Sequence, residues 1–110
     1  MCGIISFYKH TKNNQSKPEV LNILINGLKR LEYRGYDSSG IAILTKDNQI
    51  FCQKEVGKVA QLEKKLKTAK LPEFSCIGIA HTRWATHGAP TDINCHPHRS
   101  GDENEFIGKI

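Results

Sequence analysis

The sequence predicts an α+β domain built on a largely antiparallel sheet, and three observations lead there. Segments of strand composition and segments of helical spacing alternate as strand, helix, strand, strand, helix, strand. The two strands in the middle are joined by a turn at Lys46-Asp47-Asn48, as in an antiparallel pair. With 110 residues, 38% of them hydrophobic, the chain makes one small domain with a real but modest core.

Each element has its own signal. Residues 3–8, Gly-Ile-Ile-Ser-Phe-Tyr, are rich in β-branched and aromatic types and read as a strand. Residues 9–17 are polar and basic, hence a loop, and Ser16 with Pro18 marks a helix start. Val20, Leu21, Leu24, Leu28 and Leu31 then recur at helical spacing, so a helix through about Leu31 buries one face. Gly27 inside it costs roughly 1 kcal/mol against alanine, which points to close packing at that position. Residues 31–40, LEYRGYDSSG, have turn chemistry and read as a loop. Residues 41–44 and 49–56 are the paired strands, and residues 59–66 are a short amphipathic helix with Leu62 and Leu66 on one face. Residues 67–74, with Pro72, form a connection. Residues 76–80, small and apolar on both faces, suit a buried strand. Residues 81–100, HTRWATHGAPTDINCHPHRS, read as one long loop crowded with functional side chains. Phe106-Ile107 looks like the beginning of a further strand.

Composition narrows the function classes. No apolar run reaches the length of a membrane span, and the first residues lack the basic-then-apolar form of a signal peptide, which points to a cytoplasmic chain. The four cysteines, Cys2, Cys52, Cys76 and Cys95, are widely spaced without a CxxC pair, so free thiols are expected rather than a disulfide framework. The net charge of +5 owes much to Lys54, Lys58, Lys64, Lys65, Lys67 and Lys70. No aromatic residue is interleaved with these lysines to stack on bases, so they read as the solvated face of a helix and not as a nucleic-acid surface.

Chemistry concentrates at the first residues and in two motifs. A small residue at position 2 allows Met1 to be trimmed, leaving Cys2 with its own α-amine beside its thiol. The amine titrates near about 7.7–8.0 and the thiol near about 8.5, so an adjacent base matters: alone, the thiol is only about 3% thiolate at pH 7. An N-terminal amine that activates its own side chain is one form of nucleophile–base pairing. Arg83, after the buried strand, can clamp a carboxylate through its planar fork, with Thr86 adding a hydroxyl and Trp84 excluding water. In Arg34-Gly35-Tyr36-Asp37-Ser38-Ser39-Gly40 the glycines permit tight turns or close approach of another segment, and Arg34 can orient backbone groups near the nucleophile. His81, His87, Cys95, His96 and His98 raise the question of zinc. Only Cys95-His96-Pro97-His98 has compact ligand spacing, and the expectation is that these histidines order the loop by hydrogen bonding and that no metal is bound.

Taken together, the opening Cys-Gly-Ile, LEYRGYDSSGIA and GIAHTRWATHGAPTDINCHPH resemble the class II glutamine amidotransferases, from Cys2 to Ile107. The Arg-Gly-Tyr-Asp form is similar to the branch of that class that aminates fructose 6-phosphate in amino-sugar synthesis. The resemblance implies an N-terminal-nucleophile hydrolase fold, a four-layer αββα sandwich of two antiparallel sheets. It implies Cys2 as the nucleophile that attacks the side-chain amide of L-glutamine, with ammonia and then glutamate released. It assigns the glutamine α-carboxylate to Arg83, the same binding loop to Thr86 and His87, a closing loop to Trp84, and a supporting place near the nucleophile to Arg34 and Gly35. No cofactor or membrane is implied, and the full-length enzyme is expected to be a homo-oligomer.

The pattern departs from the family after Phe106. The family continues to His-Asn-Gly, whose Asn side chain and Gly N–H form the oxyanion hole, and later to an aspartate that holds the glutamine α-amine. A C-terminal sugar-isomerase domain receives the ammonia. None of these lies in residues 1–110, so the expectation is a truncated, partial glutaminase domain that is a poor catalyst by itself. One missing oxyanion donor typically costs about 10²–10³ in rate. Two other classes remain open at this point: a zinc module on Cys95, His96 and His98, and a basic nucleic-acid-binding domain.

Overall fold

A computed structural model describes residues 2–10, 17–35, 37–84, 89, 91 and 93–98, without the side chains of residues 17–19. It contains β1 (Gly3–Tyr8), α1 (Lys17–Leu31), a 3₁₀ turn at Glu32–Arg34, β2 (Ser38–Thr45), β3 (Ile50–Val56), α2 (Val59–Thr68) and β4 (Phe74–Arg83). The four strands form one sheet in the order β1-β4-β2-β3, and every neighbouring pair is antiparallel. The α+β class and antiparallel sheet predicted from the element order are observed. The second sheet of a four-layer sandwich is not among the described residues, and the strand expected at Phe106-Ile107 lies outside them.

Side chains alternate across each strand, so the register sorts the sheet into two faces. One face carries Ile5 and Phe7 of β1, Gly78 and Ala80 of β4, Ile41 and Ile43 of β2, and Phe51 of β3. Both helices cover it. Val20, Leu24, Ile25 and Leu28 of α1 and Val59, Leu62 and Leu66 of α2 join Ile41, Ile43, Phe74 and Ala80 in one buried cluster. The helical spacing read from the sequence is thus the buried stripe. Gly27 does mark close packing, because an added Cβ would run into the side chain of Ile5. Gly78 serves the same contact from the sheet side, where a Cβ would come within 2.8 Å of Leu24 Cδ1.

The opposite face carries Ile4, Ile77, Ile79, Ala42, Leu44 and Ile50, with His81 and Gly40 towards one end. Ile4 and Ile77 remain exposed there, Ile77 at 42%.

Two connections differ from the sequence reading. Residues 31–40 are not all loop. Glu32–Arg34 form a 3₁₀ turn whose Glu32 carboxylate accepts the Val59 N–H at 3.0 Å and so caps α2, and β2 already begins at Ser38. β4 is longer than expected at both ends, so His81, Thr82 and Arg83 are strand residues and not the beginning of a loop. His81 and Thr82 pair with β1 on one side and β2 on the other, and Arg83 pairs with Ser38 of β2, so all three are removed from water despite their polar side chains. The hairpin between β2 and β3 turns where the sequence placed it, with Asn48 in the left-handed region at φ 61°. Among the described residues no helix is long and apolar enough to cross a membrane.

Candidate active site

β1 begins one residue after the thiol of interest, and β4 fixes where that residue points. Gly3 N–H donates to Thr82 Oγ1 at 3.1 Å in a buried contact, and Gly3 pairs with Thr82 in the ladder. A Cβ on Gly3 would press on Thr82 Oγ1 at 2.7 Å and on Leu31 Cβ at 2.8 Å, so only glycine lets the strand lie this close. With Gly3 facing the helices, alternation turns Cys2 to the other face, the face of His81 and Arg83, and its side chain is exposed there.

Residues 93–98 fold across this end of the sheet. Asn94 and Cys95 N–H both donate to Thr91 O at 3.0 Å, and Asn94 Nδ2 donates to Ala89 O at 3.0 Å. The segment meets β2 at Gly40, where a Cβ would collide with the His96 carbonyl oxygen and lie 3.0 Å from Pro97 Cδ. His96 Nδ1 thereby sits 3.3 Å from His81 Nδ1 and 3.2 Å from His81 Nε2, with the two rings edge to face. His98 packs edge to face against His96 as well, its ring centre 4.6 Å away. The Cys2 thiol and the His81 and His96 ring nitrogens all lie within 4.8 Å of one another.

Electrostatics keep these imidazoles neutral. Burial, then the neighbouring His81, His98, Arg83 and Lys54, push His96 down from its ordinary 6.5 to about 4. Burial lowers His81 as well, against a backbone hydrogen bond at Thr82 that acts the other way, and His98 adds to the lowering. Burial, followed by the charges of Lys54 and Arg83, lowers His98. Neutral imidazoles beside a thiol can exchange protons with it or bind a cation, and they do not hold a fixed positive charge against it.

Arg83 closes β4 and is only 6% exposed; its Nη1 donates to Ala89 O at 3.3 Å. Its backbone carbonyl accepts the Asp37 N–H at 3.1 Å, and Gly35 packs so closely that a Cβ would come within 2.9 Å of Arg83 C and Trp84 N. The close approach expected of this glycine is therefore against the Arg83–Trp84 peptide. Ser38 pairs with Arg83 in the ladder, and its buried hydroxyl has no hydrogen-bond partner among the described residues. Trp84 is 45% exposed. Arg34 sits half-buried in the 3₁₀ turn. Thr86 and His87 lie outside the described residues.

The structure thus gathers Cys2, His81, His96 and Arg83 at one end of one face, with Gly35 behind Arg83. It does not assemble the compact Cys95-His96-His98 set. Cys95 is fully buried, and its thiol donates to Thr91 O at 3.1 Å. His81 and His96 appear in the sequence as members of a histidine-rich run, and nothing in the spacing singles them out. None of the four cysteines forms a disulfide, as their spacing implied.

No protein-family profile matches the chain. Curated relatives do. The chain is 50% identical over 98 residues to glutamine–fructose-6-phosphate aminotransferase (isomerizing) of Corynebacterium diphtheriae, covering 89% of the chain and 15% of that protein. It is 48% identical over 102 residues to the protein of the same name from Wigglesworthia glossinidia brevipalpis, covering 93% and 16%. It is 45% identical over 113 residues to that from Saccharomyces cerevisiae, covering 97% and 16%. The resemblance read from the motifs is therefore shared with proteins of this name at about half identity along nearly the whole chain. The chain spans about 15–16% of the length of these relatives.

Proposed function

We propose that these residues supply the nucleophile and part of the glutamine site of a glutamine–fructose-6-phosphate aminotransferase. The observation that carries this is Cys2 held at the head of β1 on the same sheet face and at the same end as the buried Arg83. With Met1 removed, the α-amine of Cys2 takes the thiol proton, and the thiolate attacks the side-chain amide carbon of glutamine. The C–N bond breaks, the proton passes to the departing nitrogen, and ammonia leaves. Water then cleaves the γ-glutamyl thioester, releasing glutamate and restoring the thiol.

Arg83 is proposed to hold the glutamine α-carboxylate. A guanidinium offers donors in a rigid fork matched to a carboxylate, and its burial at the end of β4 raises the strength of such a pair. Gly35 keeps the Arg83–Trp84 peptide in place, and Arg34 supports the same corner. Trp84 is proposed to close over the substrate, and Thr86 and His87 to complete the binding loop. Fructose 6-phosphate, the acceptor in the relatives' name, is met outside these 110 residues, which hold no sugar site on this reading. The partial-domain assignment goes with it. Since residues 1–110 contain no His-Asn-Gly, slow turnover but a reactive Cys2 is expected of this chain.

The test is labelling with a diazoketone analogue of glutamine, followed by intact-mass and peptide mass spectrometry. Modification confined to Cys2 in chains lacking Met1, and suppressed by glutamine, is expected. Arg83→Lys should weaken the glutamine protection at least about tenfold, because the charge stays and the fork is lost. Equal labelling of Cys52, Cys76 and Cys2, indifferent to glutamine, would refute the assignment.

A further inference from the structure

We propose that Cys2, His81 and His96 form a binding site for a borderline-soft divalent cation, with Zn²⁺ as the best fit, and that the bound ion silences the nucleophile. A tetrahedral zinc site has Zn–N near about 2.0–2.1 Å and Zn–S near about 2.3 Å, which sets the N···N edge at about 3.3 Å and the S···N edge at about 3.6 Å. His96 Nδ1 stands 3.3 and 3.2 Å from the two His81 nitrogens, over the face of the His81 ring, so a turn of one ring brings a lone pair of each to a shared ion at that edge length. The thiol lies within 4.8 Å of both and is exposed, so a side-chain rotation of about 1 Å brings it to the edge length.

The two imidazoles come from elements whose backbone is fixed, leaving only the rings to turn. His81 is buried in the central strand β4. Residues 93–98, which carry His96, are seated on Gly40, and His98 packs on the His96 ring. Sulfur and imidazole donors select Zn²⁺ over Mg²⁺ and Ca²⁺, which take oxygen.

Coordination replaces the thiol proton, which goes to the buffer, with a metal–sulfur bond. That lone pair is then no longer available to attack an amide. In chains lacking Met1 the α-amine of Cys2 adds another nitrogen, closing a chelate ring with its own sulfur. This part, like the silencing, rests on the function proposed above; the thiolate–imidazole site does not. The sequence offers Cys95 as the compact partner of His96, and the fold supplies Cys2, from the other end of the chain, in its place.

The experiment uses the 110-residue chain, its Met1 status fixed by intact mass, titrated with Co²⁺ as a spectroscopic stand-in and with Zn²⁺ against a chromophoric chelator. A single ion per chain is expected, with a thiolate-to-cobalt charge-transfer band, the intense visible bands of a tetrahedral ion, and a Zn²⁺ Kd below about 10 µM. Cys2→Ser should abolish the charge-transfer band. His96→Ala and His81→Gln should each weaken Zn²⁺ at least about 100-fold, beyond what losing an outer partner costs. Far-UV circular dichroism checks that each variant is folded. Protection of wild-type Cys2 from iodoacetamide by Zn²⁺, read by mass spectrometry, needs no variant. Binding weaker than about 10 µM, a spectrum without the sulfur band, or affinity unchanged in Cys2→Ser overturns the site. Metal-free labelling by the glutamine analogue reports separately on the amidotransferase reading. A chain that labels but gives no sulfur band fails here alone, and one that binds the ion but labels indiscriminately fails there alone.

Discussion

Gly40→Ala is the sharpest perturbation of the site, because β2 cannot yield to it. Gly40 is a buried residue of an interior strand, paired to Lys54 on one side and His81 on the other. A methyl there meets the His96 carbonyl oxygen, which is backbone, and also Lys54 Cγ and Pro97 Cδ at 3.0 Å. A carbon and a carbonyl oxygen need about 3.3 Å, so residues 93–98 must withdraw by more than about 1 Å. The His96–His81 contact of 3.2–3.3 Å then opens past about 4 Å, beyond hydrogen-bond reach. Overpacking of this kind costs about 1–3 kcal/mol, and each kcal/mol lowers the Tm of a domain this size by about 4–8 °C. The assay pairs a thermal melt with an NMR titration of the imidazole resonances. His96 should titrate near about 4 in the parent and move back towards 6.5 in the variant, as burial is relieved. Gly57→Ala is the control. Its φ of +95° makes alanine strained, but only Gln61 Cγ lies near, at 3.6 Å, so stability falls while His96 stays put. A Gly40→Ala chain that melts like the parent and keeps His96 near 4 would refute the idea that this glycine seats the segment.

Three further outcomes follow from the same structure. Leu24→Ala should cost about 2–5 kcal/mol in urea unfolding, since Leu24 is fully buried against Gly78; a loss below about 1 kcal/mol would contradict the packing described. Thr82→Val keeps the shape but removes the acceptor for Gly3 N–H, so a loss of about 1–3 kcal/mol and faster general alkylation of Cys2 are expected, both measurable on one preparation. His96, held near 4 when folded against 6.5 when free, binds its proton more readily in the unfolded chain. Its contribution is therefore intact above about pH 6.5 and is lost as the pH falls towards 4, so the urea midpoint should decline through that window, and less so in His96→Gln.

The helices were legible because burial and periodicity coincide: Val20, Leu24 and Leu28, then Leu62 and Leu66, mark their inner faces directly. The hairpin was legible because Lys46-Asp47-Asn48 carries turn chemistry. β4 was only half legible. His81, Thr82 and Arg83 look like loop residues, and only flanking strands make a polar run of that kind tolerable in a buried strand. Cys2 and Arg83 stand out in the sequence by residue type, and the structure puts them on one sheet face. The meeting of Cys2 with His81 and His96 was not legible, because it depends on the register of β1 against β4 and on Gly40 admitting a later segment. Those are tertiary facts with no local signature.

The hydrogen bond from Gly3 to Thr82 joins residues 79 apart in sequence, and it sets a clock as well as a distance. Chains emerge from synthesis at about 5–20 residues per second, so β1 waits about 4–16 s before β4 exists to receive it. Closing so long a loop adds an entropic cost that makes this pairing slow even afterwards. Through that interval the residues leading into β1 have no sheet partner, and the removal of Met1 proposed above has its window. Once β1 docks, Gly3 is clamped against Thr82 and Leu31 with no room for a Cβ. For the Met1 removal proposed above, timing thus adds to sequence preference, since the fold closes around Gly3 only later.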